Sequence, residues 1–191
     1  MRVYLAGPDV FLPDPLARAA ELKALCARHG LVGVFPLDDL EGGDAPGWAG
    51  LAEPLRIARR NEAHIAGCAA LVANLTPFRG PSADAGTVFE LGFMRALGRP
   101  VFGWSNCGVP FAARTRALCP DATAESDGTW RDAEGMLLEN FAGMADNLMI
   151  DGAIAASGGV LVARDLPRGA VWADLGAFEA CIAFVAAALR R

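Results

Sequence analysis

The residues of this chain best suited to chemistry are carboxylates in an apolar setting. Between Asp84 and Arg95 the only charged residue is Glu90, and the stretch through Leu97 reads DAGTVFELGFMRAL. At helical spacing Phe93, Met94 and Leu97 fall at i+3, i+4 and i+7 from Glu90, which sets its carboxylate on an apolar face. Burying an isolated carboxylate is costly unless a partner or hydrogen bonds compensate it. Glu90 is therefore either a satisfied structural acid or a group retained for chemistry. Asp84 stands at the start of the same helix, where it either caps the amide of Gly86 or Thr87 or joins Glu90 at a shared cleft. Glycosidic-bond chemistry uses two acids at one cleft, one attacking the anomeric carbon while another group handles protons or hydroxyls.

Such a pair needs a scaffold, and hydropathy patterning supplies one. Arg2 to Pro8 is a short apolar run closed by Gly7-Pro8, as a buried parallel strand ending in a loop would be. Asp14-Pro15 provides a cap and a first-turn proline for a helix over about 15–29. Leu31 to Phe35 reads as a second strand, Glu53 to Ala66 as a helix after a Gly-rich loop, and Ala69 to Leu75 as a third strand. The helix carrying Glu90 follows, ended by Gly98, and Pro100 to Trp104 forms a fourth strand. This alternation predicts an α/β fold: a parallel sheet with helices on both faces and ligands beyond the carboxyl ends of its strands. Segment 105–145 is polar, rich in Gly, Asp and Thr near 121–129, and has no assignable pattern. Beyond it Phe141 to Ala156 reads as a helix, Gly159 to Ala163 as a fifth strand and Asp174 to Leu189 as a terminal helix. Without repeats or a second core, residues 1–191 read as one domain with an irregular insertion at 105–145.

Composition narrows the partners. Hydrophobic residues make up 53% and charged residues 20%, which excludes a disordered chain. A formal net charge of -5 and the lack of a basic run argue against nucleic acid and for small, neutral or weakly charged ligands. The five cysteines are odd in number and contain no C-x-x-C, so they read as small core hydrophobes of a reducing compartment and not as a zinc site. No stretch has the length of a membrane span, and a soluble, cytoplasmic protein is expected.

Five segments, taken together and in order, resemble the nucleoside 2-deoxyribosyltransferase family. They are Tyr4-Leu5-Ala6-Gly7-Pro8, Pro36-Leu37-Asp38, Asn74-Leu75-Thr76-Pro77-Phe78-Arg79-Gly80, Asp84-x-Gly86-Thr87-x-x-Glu90-x-Gly92 and Asp146-Asn147-Leu148-Met149. The resemblance implies a flavodoxin-like, doubly wound, five-stranded parallel sheet. It also implies that Glu90 is a nucleophile that displaces the base of a 2'-deoxynucleoside, forming a covalent 2-deoxyribosyl ester which a second base attacks with overall retention. Tyr4 matches the tyrosine that orients the glutamate, although by itself it would pass for a core aromatic. Asp84 matches the acid that grips sugar hydroxyls, and Asn61 falls where an Asp or Asn faces the nucleobase. Gly7 closes the first strand at the site, Phe11 is either a ligand-packing aromatic or an anchor for loop 7–13, and Asp38 either lines the cleft or caps a turn. Asn147, with Met149 beside it, matches a residue supplied by a neighbouring subunit, so a homo-oligomer, dimer or hexamer, is implied. The implied partners are 2'-deoxynucleosides and free nucleobases, with no metal or organic cofactor.

A carboxylate nucleophile suits that chemistry, because departure of the base creates an oxocarbenium-like sugar that an ionised Glu90 stabilises more than it does the neutral ground state. Asn61 can donate and accept at a base edge but is no general acid. His29 and His64 have no partner pattern. Two rival readings stand beside this one. The first is a 2'-deoxynucleoside 5'-monophosphate N-glycosidase in which Ser82 and Arg79 form part of a phosphate pocket, which Asp84 would oppose by repulsion. The second is a non-catalytic nucleotide-binding module, against which the chain lacks both G-x-G-x-x-G and a P-loop.

Overall fold

Strict alternation along the buried strands decides how the molecule is layered. Val3 and Leu5 pack with Ala70, Val72 and Phe102 on one side of the sheet, while Tyr4 and Ala6 pack with Leu71, Ala73 and Val101 on the other. The structure is a computed structural model that describes residues 1–190. In chain order its elements are β1 (Arg2–Ala6), α1 (Pro15–Arg28), β2 (Val32–Val34), α2 (Glu53–Ala66), β3 (Ala70–Asn74), α3 (Ala85–Ala96) and β4 (Val101–Ser105). There follow α4 (Phe111–Leu118), β5 (Thr123–Ala124), β6 (Trp130–Arg131), β7 (Leu137–Leu138), α5 (Leu148–Ala156), β8 (Leu161–Ala163) and α6 (Gly176–Leu189).

Five strands form a parallel sheet in the order β2-β1-β3-β4-β8, the flavodoxin-like doubly wound arrangement. β3 and β4 are buried at every residue, which is why they read as unbroken apolar runs. Helices α1 and α6 cover one face through Leu22, Cys26, Phe178 and Ile182. Helices α2, α3 and α5 cover the other through Ile65, Leu91, Met94 and Ile154. Tyr4 therefore points toward the layer that contains Glu90. The predicted caps are present: Asp14 accepts from the Ala17 amide at 2.9 Å and Asp84 from the Thr87 amide at 2.9 Å. Among the described residues no helix is long and apolar enough to cross a membrane.

Several expectations change. The predicted helix from Phe141 begins only at Leu148, because Gly143 turns the chain at φ 78 and Asn147 caps the helix through the Met149 amide. The preceding turn is held by Asp151, whose carboxylate accepts from the Ala145 and Asp146 amides. Asp174 does not start α6 but accepts from the Gly176 amide at 2.7 Å. The unassigned 105–145 stretch contains α4 and a small antiparallel sheet in the order β5-β6-β7, whose turns use Gly128 and Gly135 at φ 85 and 83. Strands of two residues carry no readable period. Only Cys26, Cys68 and Cys181 are buried as core hydrophobes; Cys107 and Cys119 are half-buried, and all five are free thiols.

Candidate active site

The sheet order makes the crevice. From β1 the chain passes to β2 on one side and then crosses to β3 on the other, so the loops after β1 and β3 diverge and leave an opening at their carboxyl ends. A cavity of about 320 Å³ lies there, and Glu90, Asp84 and Asn61 all line it. Its walls are otherwise largely apolar, formed by Val10 and Phe11 after β1, Pro36 and Leu37 after β2, and Ile57 on α2.

Glu90 sits on α3, half-buried, and its Oε1 accepts a 2.6 Å hydrogen bond from the hydroxyl of the fully buried Tyr4. The Asn61 amide donates to the same oxygen at 3.4 Å, while Asn61 Oδ1 is buried and has no partner among the described residues. No Lys or Arg among the described residues pairs with Glu90. Burial pushes its carboxyl up to about 7, an effect the Tyr4 hydrogen bond opposes and the Asp84 charge reinforces. Burial also raises the Tyr4 hydroxyl far above its usual range, with the neighbouring Glu90 adding to the rise, so Tyr4 remains a neutral donor. Asp84 is both cap and cleft residue: its Oδ2 takes the amide and hydroxyl of Thr87, while its Oδ1 has no hydrogen-bond partner among the described residues.

Gly7 is required by packing. A Cβ there would stand 2.8 Å from Asn74 Cβ and 2.8 Å from Asp9 Oδ2, so only glycine lets the end of β1 lie against the end of β3. Phe11 is 56% exposed, lines the cavity and stacks on Phe78 with centroids 5.4 Å apart. It thus contacts both the cleft and its own supporting loop.

Other sequence-predicted residues lie elsewhere. Asp38 is not a cleft group: its carboxylate accepts from the Phe35 amide at 2.9 Å and pairs with Lys23, and its neighbours Pro36 and Leu37 line the cavity instead. Asn147 and the exposed Met149 do not reach the cavity within one chain; the Asn147 amide nitrogen donates to the Glu139 carboxylate at 3.0 and 3.1 Å. Ser82 donates to Asp146, and Arg79 lies over the rings of Phe78 and Phe11, so neither residue proposed for a 5'-phosphate pocket lines the Glu90 cleft. His64 is buried with Nε2 3.0 Å from the Asp38 carbonyl, and His29 caps α1.

Two supporting clusters escaped the sequence reading. Asp9, buried, accepts from Asn74 at 2.7 Å and lies 3.7 Å from Arg18, whose guanidinium also donates to the Trp172 carbonyl; together they clamp the loop that carries Phe11. Asp146, fully buried, accepts from the Ser82 hydroxyl and the Ala83 amide and lies 3.5 Å from Arg114, fixing the chain just before Asp84. The available signal was a polar residue ending an apolar strand, Asn74, and an acid directly after Gly-Pro, Asp9.

Comparison with known proteins identifies the family. The family model described as nucleoside 2-deoxyribosyltransferase matches residues 3–149, which include the cleft from Tyr4 to Glu90 and the Asp146–Met149 segment. The chain belongs to the nucleoside 2-deoxyribosyltransferase family. A 2-deoxyribosyltransferase from Leishmania mexicana superposes with a TM-score of 0.57 at 30% identity, covering 78% of this chain and 84% of that one. An uncharacterized protein of Schizosaccharomyces pombe is 36% identical over 169 residues, 82% of this chain and 78% of the relative. A conserved protein from Enterococcus faecalis shares the fold at 20% identity and a TM-score of 0.52, covering 85% and 91% of the two chains. Membership places this chain among enzymes that act on nucleosides.

Proposed function

We propose that the protein exchanges the nucleobase of 2'-deoxynucleosides through a glycosyl-enzyme formed on Glu90. The observation that carries this reading is a carboxylate at the edge of an apolar cleft, held by the neutral Tyr4 hydroxyl and matched by no cation. A structural acid would be given a cationic partner; one kept without it stays reactive toward a developing positive charge.

In the first half-reaction a Glu90 carboxylate oxygen attacks C1' of the deoxyribose. The bond from C1' to the base nitrogen breaks, its electron pair leaves with the base, and the base takes a proton from solvent, since Asn61 has none to give. In the second half-reaction a ring nitrogen of another base attacks C1', releases the carboxylate and loses its own proton. Two inversions give retention. Tyr4 keeps Glu90 oriented and favours its ionised form, Asp84 accepts from sugar hydroxyls through Oδ1, and Asn61, which lines the cleft, faces the base. Phe11, Leu37 and Ile57 supply apolar walls for the ring system, and Gly7 lets the end of β1, which lines the cleft, pack against Asn74.

A second copy of the chain completes the site by bringing Asn147 and Met149 to it. The apolar side chains of Phe89 on α3 and Met149 on α5, exposed at 62% and 72%, support such an interface. Mixing Glu90→Gln with Asn147→Ser, in which serine keeps the helix cap, should restore activity that neither variant has alone, provided sites are shared between subunits.

The primary experiment incubates the protein with deoxyinosine, with and without adenine, and follows deoxyadenosine. Exchange with a 2-deoxyribosyl adduct on Glu90 in quenched samples is the expected result. Free base without exchanged nucleoside, or turnover confined to 5'-monophosphates, would replace this reading with hydrolysis.

A further inference from the structure

A second cavity, larger than the first, lies beyond the ends of β3, β4 and β8. It encloses about 690 Å³ against about 320 Å³ at the Glu90 cleft, and the two share no lining residue. Three arginines line it, Arg79, Arg114 and Arg168, and no carboxylate does. Arg114 is occupied by the carbonyls of Pro81, Val109 and Ala145 and by Asp146, so its role is to hold the walls. Arg79 and Arg168 are exposed and have no carboxylate partner among the described residues. At the cavity wall Thr76 is only 2% exposed; its hydroxyl accepts from the Asn106 amide and has no acceptor for its own proton among the described residues.

We infer that this second cavity is a binding site for a small organic anion that joins a planar ring to a phosphate, of the nucleoside monophosphate class. Arg79 and Arg168 provide the forked donors that phosphate oxygens match, and the Thr76 hydroxyl provides a buried donor beside them. The opposite wall is apolar and aromatic, with Trp172, Val171 and Leu118 offering a surface for a ring. The backbone of Arg79 supports a functional assignment, because it holds φ 55, a conformation that non-glycine residues adopt at a cost. That turn sets the guanidinium 4.6 Å from the Phe78 ring.

Titration calorimetry with adenosine 5'-monophosphate and with inorganic phosphate tests the site directly, without reference to base exchange. The expected result is one nucleotide bound per chain, with phosphate alone at least about tenfold weaker. Arg168→Ala and Arg79→Gly should each weaken the nucleotide by about tenfold or more. Glycine at 79 accepts the same φ, and Arg168 makes no contact the fold needs, so both variants keep the structure. Asn61→Ala, which alters only the other cleft, should leave nucleotide binding unchanged. The inference fails if the nucleotide does not bind, if phosphate binds as tightly, if Arg168→Ala has no effect, or if Asn61→Ala or excess deoxyinosine removes the bound nucleotide.

Discussion

Two acids at the carboxyl end of the sheet, one buried and one half-buried, have opposite fates. Asp9 and Glu90 both lose solvent, and burial raises both carboxyls above their usual range. At Asp9 the rise is countered by the Asn74 hydrogen bond and by the Arg18 charge 3.7 Å away. At Glu90 the counterweight is a neutral phenol, with a long hydrogen bond from the Asn61 amide beside it, while the neighbouring Asp84 charge pushes the same way as burial. Asp9 faces the interior and ties a loop to the sheet; Glu90 faces a cavity. The lesson is that burial by itself does not mark a reactive acid. What marks it is burial without a cation, at a surface a substrate can reach.

Substitutions at each acid sharpen that contrast. The largest effect belongs to Glu90→Gln, which should reduce base exchange by about 10³-fold or more and abolish the sugar adduct while the circular dichroism spectrum stays native. An enzyme that kept its rate would place the nucleophile elsewhere. Asp9→Ala should instead act on the fold, costing about 1–3 kcal/mol of unfolding free energy in urea titrations, because it removes the acceptor of the buried Asn74 amide and leaves Arg18, 9% exposed, with only Glu21 as its acid partner.

Burial of Glu90 also carries a pH-dependent stability cost. Unfolded, Glu90 ionises near 4.5, but in the native state only near 7, so the native state loses stability as pH rises through that window. Glu90→Gln should therefore be more stable than the parent at pH 8 by about 1–3 kcal/mol, and equal to it below about pH 4.5. A destabilised Gln variant at pH 8 would mean that the carboxylate has a partner. The smallest effect is expected at Tyr4. Because the proposed mechanism uses the ionised acid, kcat/KM should climb through pH 7. Tyr4→Phe should lower the rate by about tenfold and move that limb to higher pH, since the lost hydrogen bond favours the carboxylate. A rate loss with an unmoved limb would reduce Tyr4 to packing.

How much of this was legible in the chain varies from residue to residue. The strands were readable because β3 and β4 are buried on both faces and show as continuous apolar runs, and α3 was readable because Asp84 and Gly98 bracket it. Glu90 stood out for a local reason, one charge on a greasy helix. Asp38 stayed open between cleft and turn because an acid after a strand fits either, and the contacts that decide for the turn are Lys23, fifteen positions away, and a local amide. The β5–β7 sheet was invisible because strands of two residues have no period and are held by their glycine turns and by pairing.

By itself the sequence determined the order of strands and helices, the parallel sheet and the anomaly at position 90, since each is expressed in periodicity over neighbouring residues. The pairing of Tyr4 with Glu90, eighty-six positions apart, was implied by family resemblance and not by any local pattern, and only the tertiary structure decided that Arg18 neutralises Asp9 and not Glu90 and that Arg79 belongs to another cavity. Those pairings depend on which strand ends the doubly wound sheet brings together, and that is a property of chain crossings that no local pattern encodes.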